Sequence, residues 1–280
     1  MASYSARFRE TLRLIEATGD FPAFVSSFDG IHATSRAFFG RNLTRANLAD
    51  RIVFLLGGLC LEDFLEICGI SAIGYGLGGI KILRSLYERV VTVSYISLKP
   101  ETAQDFFDFM PVQMMKIHRR AKEVYGTSWG VSTETEKTLR EWSERVKGRF
   151  EEVICEKCGT KRPTLSWSRN SLEALATYVE KMTKKSTKSA YLSAAQLPNL
   201  FIHSNLAGAG RVWKDMRTVS SDFSADQLNF RGAALSGAHA LLCVLFDRQN
   251  QYFHLNLDKD IEERERDWYR AWHGYEMPSW

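Results

Sequence analysis

Apolar residues recur along most of this chain at spacings of three and four, the repeat of a helix with one buried face. Residues 3–17 set Phe8, Leu12, Leu14 and Ile15 among Arg7, Arg9, Glu10 and Arg13. Residues 47–68 read as a mostly buried helix that ends in EDFLE, with Gly69 as its stop. Residues 79–98 carry the strongest pattern, with Ile80, Leu83, Leu86, Tyr87, Val90 and Val91 in register. The end of that segment, VVTVSYISL, suits a strand by propensity. It continues the helical spacing without a break, so it is read as helix. Pro100 ends this helix and opens the next, where Pro111 is expected to make a kink or a break.

Thr133 and Glu136 form a capping-box pattern, and the helix they start is expected to reach about Val153. CEKCGTKRPTLSW then reads as a turn-rich connector. A helix capped near Asn170 follows, then a polar break at KKSTKS. AYLSAAQLPNLFIHSN resumes helical character despite Pro198. Residues 207–227 read as a long loop, ALSGAHALLCVLFDRQNQYF as an apolar helix, and the tail as a short charged helix. The expected fold is mainly α: a multi-helix bundle with a small turn like a zinc knuckle at CEKCG. It reads as a single helical domain over 1–280, with a helical lead (1–46), a core (47–205), and a loop with C-terminal helices (206–280).

Residues 74–79, GYGLGG, fit the G-x-G-x-x-G phosphate-binding turn of dinucleotide enzymes. That fingerprint needs a strand before it and a second strand beyond its helix. Only ISAI precedes it, and Pro100 follows the helix. The glycines therefore read as sites of positive φ or close packing.

Composition changes this picture little. Hydrophobic residues are 45% and charged residues 25%, ordinary globular values. The net charge of +4 permits an anionic partner such as RNA without requiring one. The N-terminal segment reads as an amphipathic helix rather than a secretory signal. The longest apolar run, 52–61, is too short to span a bilayer, so no membrane partner is expected. Five cysteines without a disulfide framework point to a reducing compartment, the cytoplasm.

ILRSLYERVVTVSYISLKPETAQDFFDF resembles the signature helix of a bacterial all-helical family of unknown function. That helix carries an arginine, three residues, then a glutamate, followed by a proline-led helix rich in Phe. LSWSRNSLEALATYV and AYLSAAQLPNLFIHSN match the family's tryptophan-led segment and its later Y…S…H helix. The matching residues are Arg84, Glu88, Trp167, Tyr191 and His203, over roughly 50–205. Pro198 departs from the pattern. The family is distantly similar to the HEPN class, some of whose members are metal-independent ribonucleases of defence systems.

The resemblance implies an RNA-targeting, metal-independent ribonuclease or toxin-like effector in bacterial defence, working as a homodimer or with a partner protein. In such an enzyme a histidine acts as general acid or base on the RNA 2′-hydroxyl, and an arginine neutralises charge on the phosphate. Two arrangements are candidates here: Arg84 and Glu88 with His203, or Arg248 with His254, whose spacing fits R-x4-6-H. Arg266 and His273 repeat that spacing with less suitable surroundings. The alternative is a non-enzymatic helical binding or regulatory module, with Arg84 and Glu88 as an i,i+4 structural pair.

Cys155 and Cys158 form C-x-x-C followed by glycine, as in a zinc knuckle. Structural zinc needs four ligands, and no second C-x-x-C or H-x3-5-H is present. Zinc completed from a distance or by a second chain, a redox pair, and a plain turn all remain open readings. Cys60, Cys68 and Cys243 read as core thiols, and His118 as the exposed side of a helix end.

Overall fold

A computed structural model describes residues 2–127, 131–164, 166–202 and 224–274. In chain order the first helices are α1 (Ala2–Glu16), α2 (Pro22–Phe39), α3 (Leu48–Ala72), α4 (Gly76–Leu98), α5 (Ala103–Tyr125) and α6 (Thr133–Val146). A hairpin of β1 (Glu151–Cys155) and β2 (Thr160–Pro163) follows. Then come α7 (Leu172–Thr183), a π turn (Leu192–Gln196), α8 (Leu197–Ile202), α9 (Ser224–Phe253) and α10 (Asp258–His273). The protein is mainly α, a multi-helix bundle as the spacing predicts. It divides into two compact units: Met1–Leu98 with Leu172–Trp280, and Lys99–Ser171.

In the larger unit α3, α4 and α9 pack against one another as a central trio. α1 lies on α3, α2 on α10, and α7 and α8 on α4. Asn47 and Asp50 start α3 by a reciprocal cap, each side chain accepting from the other's backbone N–H at 2.9 Å. The stripe of α4 is sealed: Leu86, Tyr87, Val90, Val91 and Val93 are each 0% exposed. Burying such side chains is worth about 1.5–3 kcal/mol each. That outweighs the few tenths of a kcal/mol by which valine disfavours helix, so VVTVSYISL is helical.

Over Phe230–Phe253, α9 has the length and apolar character of a membrane span, and half of that stretch is buried within the protein. Its buried face also holds His239, Gln249 and Asn250, as a core helix does. Gln249 Nε2 donates to the Val53 carbonyl of α3 at 2.8 Å, and Asn250 Nδ2 to Asp258 of α10 at 2.9 Å.

GYGLGG has no strand before it, because α3 runs through Gly69 to Ala72. Gly74 makes the reversal into α4 at φ +98°, where a side chain is strained. Gly79 is a contact point. A Cβ there would stand 2.7 Å from Ser71 Oγ of α3 and 3.0 Å from Ala234 Cβ of α9.

The smaller unit holds α5, α6 and the hairpin, around Phe109, Val146 and Phe150 with Val112, Trp142 and Trp167 against them. Four expectations are corrected. α5 continues through Pro111, which is buried, so there is no break at this residue; the missing N–H costs one ladder bond and the surrounding packing holds the helix. Ser132, not Thr133, caps α6, accepting from Thr135 N at 3.1 Å. α6 stops at Val146, and the chain to Cys155 leaves helix for the antiparallel hairpin, with Glu151 opposite Pro163. His118 is buried rather than exposed, with Nε2 3.1 Å from Glu136 of α6. Lys122, His118 and Arg140 converge on Glu136 and hold its carboxyl down to about 2, Lys122 contributing most. In the larger unit, the loop expected over 207–227 yields residues 224–227 to α9, and the rest of it lies outside the described residues.

Candidate functional site

The segment leading to α8 is where the sequence departs from a regular helix, and it is also where Arg84 points. Pro198 has no N–H, and its ring crowds the carbonyl four residues back, that of Ala194. The helix widens just before it into the π turn, with Leu197 N–H bonded to the Leu192 carbonyl. Widening frees carbonyls that need a donor. Arg84, reaching across from α4, donates Nη1 to Asn199 Oδ1 and lies 3.5 Å from the Ala195 carbonyl. One turn along α4, Tyr87 donates its hydroxyl to the Thr187 carbonyl at 2.8 Å, and Thr187 Oγ1 donates to the Ala176 carbonyl of α7. Burial pushes the Tyr87 phenol up, so it stays a neutral donor.

Beside this tie is a half-open cavity of about 640 Å³ in the larger unit. Leu83, Leu197, Phe201, Phe230, Leu241 and Trp268 supply most of its wall, and Ser186, Ser189 and Ser193 sit on its exposed rim. Gly237 keeps α9 close to α4 here, since a Cβ would meet Leu83 Cδ2 at 2.9 Å. A concave, mainly apolar space with a few polar groups is the common form of a small-ligand site.

The two histidine–arginine arrangements fare differently. Glu88 is exposed and makes no hydrogen bond or ion pair among the described residues, so Arg84 pairs with Asn199 and not with Glu88. His203 lies outside the described residues. Arg248 pairs with its neighbour Asp247 at 2.8 Å. His254 stands just past α9 at φ +53°, exposed, while Leu255 N–H bonds back to the Asn250 carbonyl. That is a left-handed helix cap, a position histidine tolerates better than most residues. Around it Arg41 lies 4.0 Å from the Phe253 ring centre, and Tyr252 donates to Asp50 at 2.9 Å. Arg266 pairs with Glu262, and His273 packs on Trp268.

Cys155 is half-buried and Cys158 exposed at the hairpin turn, where Gly159 takes φ +68°. Cys158 Sγ lies 2.9 Å from Thr160 Oγ1. Hydrogen bonds from Thr160 and then Cys155 draw the Cys158 thiol down to about 7. Both sulfurs could ligate a soft metal. Among the described residues, no group of three or more His, Cys, Asp or Glu comes together to hold one. Cys60, Cys68 and Cys243 are buried, with thiols pushed up by burial.

Sequence reading missed Asn199, Trp268 and the serine rim. Arg84 and Asn199 are 115 residues apart, so no local spacing links them.

Because its guanidinium ties α4 to α8, Arg84→Ala is expected to lower stability by about 1.5–2 kcal/mol, the lower part of the range for a hydrogen bond from a charged donor. Glu88→Ala is expected to leave urea denaturation unchanged. Equal losses from the two substitutions would restore the ion pair.

No curated protein and no solved structure matches the chain. The family match covers residues 50–217, which contain Arg84, Glu88, Cys155, Cys158 and His203 and leave out Arg248 and His254. By that match the chain belongs to the family of unknown function DUF5677.

Proposed function

We propose that this chain is a helical binding module whose ligand enters the cavity between α4, α8, α9 and α10. The cavity carries the reading: its walls are apolar and its rim is hydroxyl-bearing, which suits an apolar body with a polar end. Arg84 supports it by being spent on the fold rather than left free for a phosphate. Fluorescence titration with anilinonaphthalene sulfonate tests it. One equivalent should bind the wild type with a blue shift, and Ala240→Phe, which fills the cavity, should weaken binding at least tenfold. A wild type that binds no probe overturns the reading.

A second reading is the metal-independent ribonuclease of the HEPN resemblance, with Arg248 and His254 at R-x4-6-H spacing. One observation favours it: His254 is exposed and follows Phe253, whose ring carries the Arg41 guanidinium, a setting in which RNA phosphates and bases could both be met. Incubating RNA with the protein in EDTA decides it. Cleavage that His254→Ala abolishes supports the nuclease, and intact RNA with the wild type removes it. Structural zinc at Cys155 and Cys158 needs two further ligands, from a second copy or from outside the described residues. Metal content of the wild type beside Cys155→Ser tests that proposal.

A further inference from the structure

In the smaller unit, α5 presents an apolar seam that is largely exposed, with Trp142 of α6 against Phe107 at its first position. Phe107, Met110, Met114, Ile117, Ala121 and Val124 follow one another at spacings of three and four. Five of them are 37–55% exposed, while Ala121 is 6% exposed and forms a dent among them. The 3-4 alternation is the heptad repeat of a helix that pairs with another helix. A groove of about 640 Å³ runs along the seam, closed on one side by Pro163 and Thr164 of the hairpin end.

We infer that this seam is where two copies of the chain pair, α5 against α5 in antiparallel order. The seam is complementary to itself in that order. Phe107 meets the second copy's valine at 124, Met110 enters the dent at alanine 121, and Met114 meets isoleucine 117. This is the isologous contact a two-fold axis requires. Charge selects the same direction. The start of the segment carries Glu101, Asp105 and Asp108, the latter two shared with Arg149. Its last turns carry Lys116, Arg119, Arg120 and Lys122 beside Glu123; Arg120 and Lys122 are paired with Glu123 and Glu136, which leaves a net positive end. Antiparallel pairing brings each copy's cationic half against the acidic half of the other, whereas parallel pairing sets cations against cations. Lys116 and Arg119 have no hydrogen bond or ion pair among the described residues and are free to serve. At roughly 200 Å² per large side chain, the exposed seam offers about 450 Å² per copy. Two copies with their polar flanks reach about 1,000 Å², the lower end of specific interfaces.

Sedimentation velocity of the full chain tests this. The wild type is expected to be a dimer at tens of micromolar and to dissociate on dilution. Ile117→Glu should be monomeric at the same concentration, with helical circular dichroism and melting unchanged at dilute concentration, which separates lost pairing from lost folding. Direction is read in a Cys155→Ser, Cys158→Ser background. A mixture of Met110→Cys and Ala121→Cys chains should form the mixed disulfide-linked dimer on mild oxidation, in preference to either homodimer. A monomeric wild type overturns the proposal, as does a dimer that Ile117→Glu leaves intact. Homodimer cross-links in place of the mixed one overturn the antiparallel order.

Discussion

Gly79→Val is expected to cost the larger unit about 3 kcal/mol and lower its melting temperature by roughly 10 °C. The methyls would enter a point where α3, α4 and α9 meet, against Ser71 Oγ and Ala234 Cβ. The serine hydroxyl can rotate aside. The alanine Cβ is fixed to the α9 backbone and moves only if the helix moves. Gly69→Ala is the control. Gly69 also sits inside a helix, α3, but nothing lies within 4 Å of its Cβ position. The gain in helix propensity, about 1 kcal/mol, should then raise stability. A Gly79→Val protein that melts with the wild type would mean the helices are not held at this contact.

Acid should destabilise the fold well before its carboxylates titrate. His239 is 0% exposed in α9, and its pKa is pushed down to about 3, first by burial and then by the nearby Arg264 guanidinium. Trp272 Nε1–H points at its Nδ1 from 3.3 Å, an arrangement that needs an unprotonated nitrogen. The folded state therefore keeps His239 neutral, while the unfolded chain takes up a proton below about 6.5. With the folded pKa lowered, the stabilisation is whole above 6.5 and is lost as pH falls towards 3. The slope from this one group is about 1.4 kcal/mol per pH unit. His32, also lowered by burial, acts in the same direction. Urea denaturation at pH 7.5, 6.5, 5.5 and 4.5 measures it. His239→Gln, whose amide oxygen can accept from Trp272, should flatten most of the slope. Equal stability at pH 7.5 and 4.5 in the wild type would show that His239 is solvated.

Helix was legible wherever one stripe of the chain is buried, because burial and the 3.6-residue repeat are two views of one cause. That is why α4 could be read through its β-branched run. Helix ends were read less well where a local signal had competition. Gly69 looks like a stop, but α3 had three more residues to place before Gly74 could turn the chain. Thr133 and Glu136 have capping-box spacing, yet Ser132 takes the cap and Glu136 serves Lys122, His118 and Arg140 instead. The hairpin was hidden because β1 continues the polar, charged texture of α6. At the site, the sequence pointed to Arg84 and to the oddity of Pro198 separately. That the two are one feature depends on a contact across 115 residues, which no window of sequence contains. The cavity wall is assembled the same way, from α4, α8, α9 and α10.

The division of the chain has a consequence during synthesis. The larger unit is discontinuous: α4 ends at Leu98, and α9, which covers it, begins at Ser224. At translation rates of 5–20 residues per second, α4 emerges on the order of ten seconds before α9 exists. Through that interval α4 has α3, and later α7 and α8, but lacks α9, whose contact with it is as extensive as that of α3. The smaller unit, which lies within the continuous stretch Lys99–Ser171, can be complete by then. The nascent chain thus carries a finished domain and an unfinished one in tandem, and the unfinished one is the part that a holding chaperone would bind.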